Sequence, residues 1–255
     1  GDATAGDTAM LVANAAPFAR HGVPALGIGP VAAEDRPVRH ESAAEGDVLD
    51  NGLVRAVIDA SGHLVSLRAA ADGREAIAPG TPAGVLRLHR DLPNKWDAWD
   101  IDAHHRRTVT ELRDAVERRV EWSPSEATVV AVRRVGGSTI EQRYVLRAGA
   151  IALDLEIHAD WHEHERLLKL AIPLDIHADR VAAETQFGHV FRATHVNTSW
   201  EAARFETCQH RFVHVAEPGY GVAIANDSTY GYDTERTTRP DGGTTTTTAP
   251  SSSTT

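Results

Sequence analysis

Turn signals recur along this chain at short intervals, and none of the stretches between them carries the period of an amphipathic helix. Asn51-Gly52, Asp59-Ala60-Ser61-Gly62, Asp72-Gly73, Gly136-Gly137, Ala148-Gly149-Ala150 and Pro218-Gly219 separate short runs rich in apolar and β-branched residues. Gly supplies the positive φ that tight turns need, and Asn and Asp hydrogen-bond their own backbone. The pattern predicts strands on either side of Asn51-Gly52 and over 63–67, 85–89, 107–112, 118–122, 127–135, 139–147, 152–159, 167–173, 212–217 and 221–226, with a further one at 244–248. Many short strands punctuated this way mean an all-β sandwich or barrel. No βαβ unit or phosphate-cradling glycine loop is present, so a nucleotide-binding fold has no support.

The bulk chemistry narrows the function. A 255-residue chain that is 42% hydrophobic builds a sizeable core. Its formal charge of −10 argues against nucleic acid and against an anionic membrane surface. No apolar run approaches membrane-spanning length, and no signal peptide is visible. The single cysteine, Cys208, excludes an internal disulfide and a thiolate zinc cage, and it suits a cytoplasmic protein. Cys208 ends an alternating stretch and is expected as a buried strand thiol. Residues 1–9 read as a polar lead-in, and the breakers between Pro17 and Pro30 leave room for one short strand at most.

Three stretches are too particular in composition for plain packing. The first is Asp91-Leu92-Pro93-Asn94-Lys95-Trp96-Asp97-Ala98-Trp99-Asp100-Ile101-Asp102, with two Trp and four Asp in twelve residues. Period 2 puts Trp96 and Asp97, and likewise Trp99 and Asp100, on opposite faces, so the run is expected as a loop or strand end. There a Trp offers its face to the C–H side of a sugar and an Asp accepts from the hydroxyl rim; alternatively, the carboxylates cap backbone amides and the indoles pack between layers. The second stretch is 184–206, containing Thr194-His195-Val196-Asn197-Thr198-Ser199-Trp200 and Ala203-Arg204-Phe205-Glu206. The third is 219–233, containing Asn226-Asp227-Ser228-Thr229-Tyr230. Both read either as ligand contacts or as polar turns packed on their neighbours. His162 and His164 would share a strand face and could just meet around one ion, but His158 lies too far along the strand and no Cys or well-spaced carboxylate completes a four-ligand set.

Together and in this order, these segments resemble the carboxy-terminal region of the glycoside hydrolase family 38 α-mannosidases. Supporting pieces are Asn51-Gly52-Leu53, Asp160-Trp161-His162-Glu163 and Leu167-Leu168-Lys169, and the resemblance spans roughly 10–245. It implies a large antiparallel super-sandwich of the galactose-mutarotase-like kind over 41–248. A flexible lead-in and small β remnant would precede it at 1–40, and a disordered Ser/Thr tail would follow at 249–255. The resemblance also implies a retaining glycosidase acting on terminal α-linked mannose, with two carboxylates about 5–5.5 Å apart. The nucleophile and a zinc ion would belong to an amino-terminal catalytic domain, because no position here matches them. This chain is therefore expected to be non-catalytic and without a cofactor of its own. It would partner that catalytic domain and mannosides, and expose a face that favours self-association. Asp91, Trp96, Asp97, Trp99, Asp100, Asp102, Asn226, Asp227 and Tyr230 are the residues expected to border the sugar cleft. A free-standing carbohydrate-binding module is the other reading.

Overall fold

A computed structural model describes residues 11–15, 23–30, 36–96, 100–227 and 229–254. Strands β1 (Leu11–Ala13) and β2 (Ile28–Pro30) pair in a small sheet of their own. β3 (Arg39–Ala43), β4 (Gly46–Asp50), β5 (Val54–Ile58) and β6 (Leu64–Ala69) follow as a four-stranded meander. β7 (Val85–Arg90) and β8 (Thr110–Leu112) flank the long Asp/Trp loop, which ends in a 3₁₀ turn at Ala103–Arg107. β9 (Glu117–Trp122), β10 (Glu126–Val135), β11 (Ser138–Arg147) and β12 (Asp154–Asp160) make a second meander. β13 (Arg166–Leu174) then returns beside β7. β14 (Arg180–Thr185), β15 (Gly188–Ala193), β17 (Phe212–Glu217) and β18 (Tyr220–Ala225) form another four-stranded sheet, in the order β15-β14-β17-β18. The one-turn helix α1 (Ser199–Ala202) and the two-residue β16 (Thr207–Cys208) lie between β15 and β17. β19 (Gly231–Thr238) and β20 (Thr244–Thr254) complete a six-stranded sheet ordered β16-β19-β20-β13-β7-β8. Among the described residues no helix is long and apolar enough to cross a membrane.

The all-β, antiparallel expectation holds, but the single large sandwich does not. Apart from the β1–β2 pair, the described strands divide into four sheets of four, six, four and four strands, arranged like the blades of a propeller-like ring. Each contributes to one apolar cluster: Leu49 and Ile58 from the first sheet, Val129 and Leu146 from the second meander, Leu174 and Tyr232 from the six-stranded sheet, and Val181 and Val215 from the fourth. Alternation reveals which face of a strand is buried, not how many sheets share the interior, so sequence alone did not separate the two architectures. The tail reading is also corrected, because residues 249–254 continue β20 and pair with both β13 and β19. Thr and Ser suit a strand whose flanks are already in place.

Polar side chains lock the sheets together. Asn51, 1% exposed, closes the β4–β5 turn by accepting from the Leu53 and Val54 amides, and its own amide donates to the Arg147 and Ala150 carbonyls across the ring. Arg133 is fully buried on β10 and donates to the carbonyls of Leu112, Ser61 and Gly62 and to Gln142 Oε1. Gly62, at φ +76°, has Ala131 so close that a Cβ would sit 2.3 Å from that methyl, which is why the predicted turn requires glycine.

Candidate functional site

The Asp/Trp loop leaves β7 at the rim of the six-stranded sheet and is braced by its own acids. Asp102 accepts from both the backbone N–H and the side-chain amide of Asn94, at 2.7 and 2.8 Å. The Asp100 amide donates to the Trp96 carbonyl at 2.9 Å, which closes a turn. Trp96 stands at φ +63° with 68% of its surface exposed. Left-handed backbone in a bulky residue is costly, so the loop's hydrogen bonds hold it there. Asp91 turns inward instead of facing solvent: it is 5% exposed, and its Oδ1 is sealed off without a partner. Burial pushes its carboxyl up, and the nearby Asp102 adds to the rise. Asp97 and Trp99 lie outside the described residues.

The other three candidates gather elsewhere. Asn226, Asp227 and Tyr230 line an open cleft of about 620 Å³ with Cys208, His210 and Arg211. Asn226 Oδ1 accepts from the Thr229 amide at 2.8 Å, and the Tyr230 ring meets His210 edge-on at 5.7 Å. Cys208 is exposed, contrary to the buried thiol expected, because β16 is only two residues long and sits at the sheet edge. Segment 205–211 connects the two regions. The Arg106 guanidinium, from the 3₁₀ turn of the first loop, donates to the Phe205 carbonyl at 2.7 Å, while the Gln209 amide donates to the Tyr230 carbonyl at 2.9 Å.

Beneath that connection lies a cluster of charges that the strand pattern did not single out. Lys169 of β13, 2% exposed, bridges Glu206 at 2.6 Å and Asp233 at 3.0 Å. Ser251 of β20 donates to the other Glu206 oxygen, and Arg106 reaches Asp233 at 3.4 Å. Burial pushes the Glu206 carboxyl up, against the pull of Lys169 and Ser251. A Cβ at Gly231 would sit 2.6 Å from Ser251 Oγ, so glycine keeps this corner open. Next to it the buried rings of His89 and His105 meet edge-on at 5.1 Å, each with its Nε2 sealed and unpartnered. Burial lowers both pKa values, that of His105 to about 4, so both rings are neutral at pH 7. The legible signal was Lys169 itself, which shares the buried face of its strand with Leu167 and Ala171 and therefore requires counter-charges.

Among the described residues, no group of three or more His, Cys, Asp or Glu side chains is placed to hold a metal ion. His158 and His162 instead approach Glu156 and Asp160 separately. The described residues do not fit a zinc site.

The model of the glycosyl hydrolases family 38 C-terminal domain matches residues 49–241. This chain belongs to that family. It is 34% identical to alpha-mannosidase 2C1 of Homo sapiens over 221 residues, covering 82% of this chain and 21% of that protein. It is 32% identical to alpha-mannosidase G of Dictyostelium discoideum, covering 75% of this chain and 18% of that protein. The chain thus spans about a fifth of the curated relatives it matches. The crystal structure of an alpha-mannosidase from Enterococcus faecalis V583 superposes with a TM-score of 0.65 at 15% identity, over 86% of this chain and 27% of that one. That likeness shows the shared fold. As a family 38 C-terminal domain, the chain is a glycosidase-family component.

Proposed function

We propose that this family 38 domain is the non-catalytic carboxy-terminal part of a retaining α-mannosidase, and that its Asp/Trp loop and 226–230 turn border the sugar cleft. The catalytic carboxylates and a zinc ion would come from an amino-terminal domain of the same polypeptide, in a cytoplasmic setting suggested by the single cysteine. The observation that carries the cleft assignment is Trp96, a large ring held out into solvent at an unfavourable φ in a loop that Asp102 braces by accepting from both Asn94 amides. A flat apolar face displayed at such a cost suits stacking on the C–H side of a sugar. The open cleft beside Tyr230 favours the second reading, a carbohydrate-binding module.

Hydrolysis of a chromogenic α-mannoside by this chain, with and without added zinc, tests the first part. No turnover is expected in either case, and zinc-dependent turnover would overturn it. Within the whole glycosidase, Trp96→Ala should raise KM about 10-fold, as expected for a lost ring contact of roughly 1 kcal/mol or more. An unchanged KM would remove Trp96 from the cleft. Saturable mannoside binding by the isolated chain would favour the binding-module reading.

A further inference from the structure

The second stretch of unusual sequence encloses a cavity that the glycosidase reading leaves unused. It has a volume of about 220 Å³ and lies between the 192–207 segment and β19, with Arg106 at one side. Arg106, Arg192 and Arg204 all line it. Four polar atoms on its lining residues are cut off from solvent: His195 Nδ1 and Thr234 Oγ1 have no hydrogen-bond partner, and Arg192 Nε and Tyr232 Oη make no well-formed hydrogen bond, although the Tyr232 hydroxyl lies close enough to Arg192 and Thr207 to feel both. Tyr232 is 1% exposed. Such atoms are costly when empty-handed, and several around one cavity mark a place built for a polar occupant.

We propose that this cavity is a binding site for a small oxyanion, a phosphate or carboxylate group carried on a compact organic body. Arg192 Nε–H can only donate, and the two hydroxyls can donate as well, so the occupant must supply acceptors. Guanidinium groups match carboxylate and phosphate oxygens in geometry as well as charge. Two acids also line the cavity. Glu201 is occupied, since its carboxylate accepts from the Asn197 and Thr198 amides and faces His195 at 3.5 Å. Glu235 is exposed on β19. Arg106 is shared with Asp233 at 3.4 Å, which leaves Arg192 and Arg204 as the principal cations. The volume of about 220 Å³ exceeds more than tenfold the roughly 10–15 Å³ that one water needs, so there is space for a body beyond the oxyanion. This inference does not depend on the α-mannosidase reading.

Calorimetric titration of the 255-residue chain tests it, using inorganic phosphate, a hexose 6-phosphate and malonate, each against sodium chloride at matched ionic strength. Saturable binding of at least one of the three is expected, with the tightest identifying the source of the oxyanion. Tyr232→Phe, which removes one buried hydroxyl and keeps the ring in the core, should weaken that binding about 10-fold, and Thr234→Val should do the same independently. Thermal melts of the ligand-free variants show whether each is folded. No saturable binding by any probe would overturn the proposal and leave a water-filled cavity. Unchanged affinity in both folded variants would overturn it too, because the anion would then sit elsewhere.

Discussion

Lys169 illustrates how much a single buried charge demands of its surroundings. It sits on a strand face shared with Leu167 and Ala171 and meets two carboxylates drawn from segments 37 and 64 residues away. Removing one partner of a buried ionic cluster costs about 3–5 kcal/mol, because the remaining charges stay desolvated. Lys169→Met should therefore lower the unfolding free energy by about that amount, measurable by urea titration, and Glu206→Gln should cost less because Asp233 still answers the lysine. The neighbouring histidines predict a pH dependence. His105 titrates near 4 in the folded chain and near 6.5 when unfolded, and burial lowers His89 in the same direction. The unfolded state then binds the extra protons, so stability should be fully present above about pH 6.5 and fall as the pH drops toward 4. Thermal melts between those limits would show it, and His105→Gln should flatten the slope. Little of this was legible in sequence. Glu206 and Asp233 stood inside motifs already noted, but nothing in their spacing shows that β16 and β19 bring them to Lys169.

Among elements, the long strands rich in apolar residues were the legible ones. β10, β11 and β13 lie where the apolar pattern puts them, and Asn51-Gly52 makes the turn it promises. β15 was harder, since Gly188–Ala193 is exposed along most of its length and has no buried face to betray its period. It is also an edge strand, and Val190 and Phe191 are 40% and 55% exposed on it, with Phe187 protruding fully at the preceding turn. An apolar, uncovered edge is a template for pairing. Sedimentation of the chain should reveal concentration-dependent association, and Phe191→Lys together with Phe187→Ser should reduce it; a monomer at all concentrations would refute the edge as an interface. The second meander protects its edge differently: β12 carries Asp154, Glu156, His158 and Asp160, and its acids meet Arg147 and Arg143 of the neighbouring β11. β20 was half legible. Its Thr run reads as a strand, while the Ser/Thr tail has the composition of disorder and is ordered only by the strands on either side.

For the whole molecule, the ring has one interior, and side chains that cross it matter more than any sheet alone. Arg133 reaches three backbone carbonyls belonging to two other stretches of chain. Arg133→Ala would strand those acceptors, and at about 1–3 kcal/mol for each unsatisfied group the variant should melt far below the parent or fail to fold. The observable is the loss of a single cooperative transition by circular dichroism. Arg133→Lys should recover only part of the stability, since one ammonium lacks the spread of the guanidinium fork.

Two of the four larger sheets are built from consecutive strands, whereas the six-stranded one draws on segments from Val85 to Thr254. During synthesis, the meanders can pair as soon as they leave the ribosome. The Lys169 cluster, however, waits with its charges only partly matched until Ser251 and the rest of β20 slide between β13 and β19. Until that moment the nascent chain offers an open slot between two strands, whose unpaired backbone groups are the edges most exposed to mispairing.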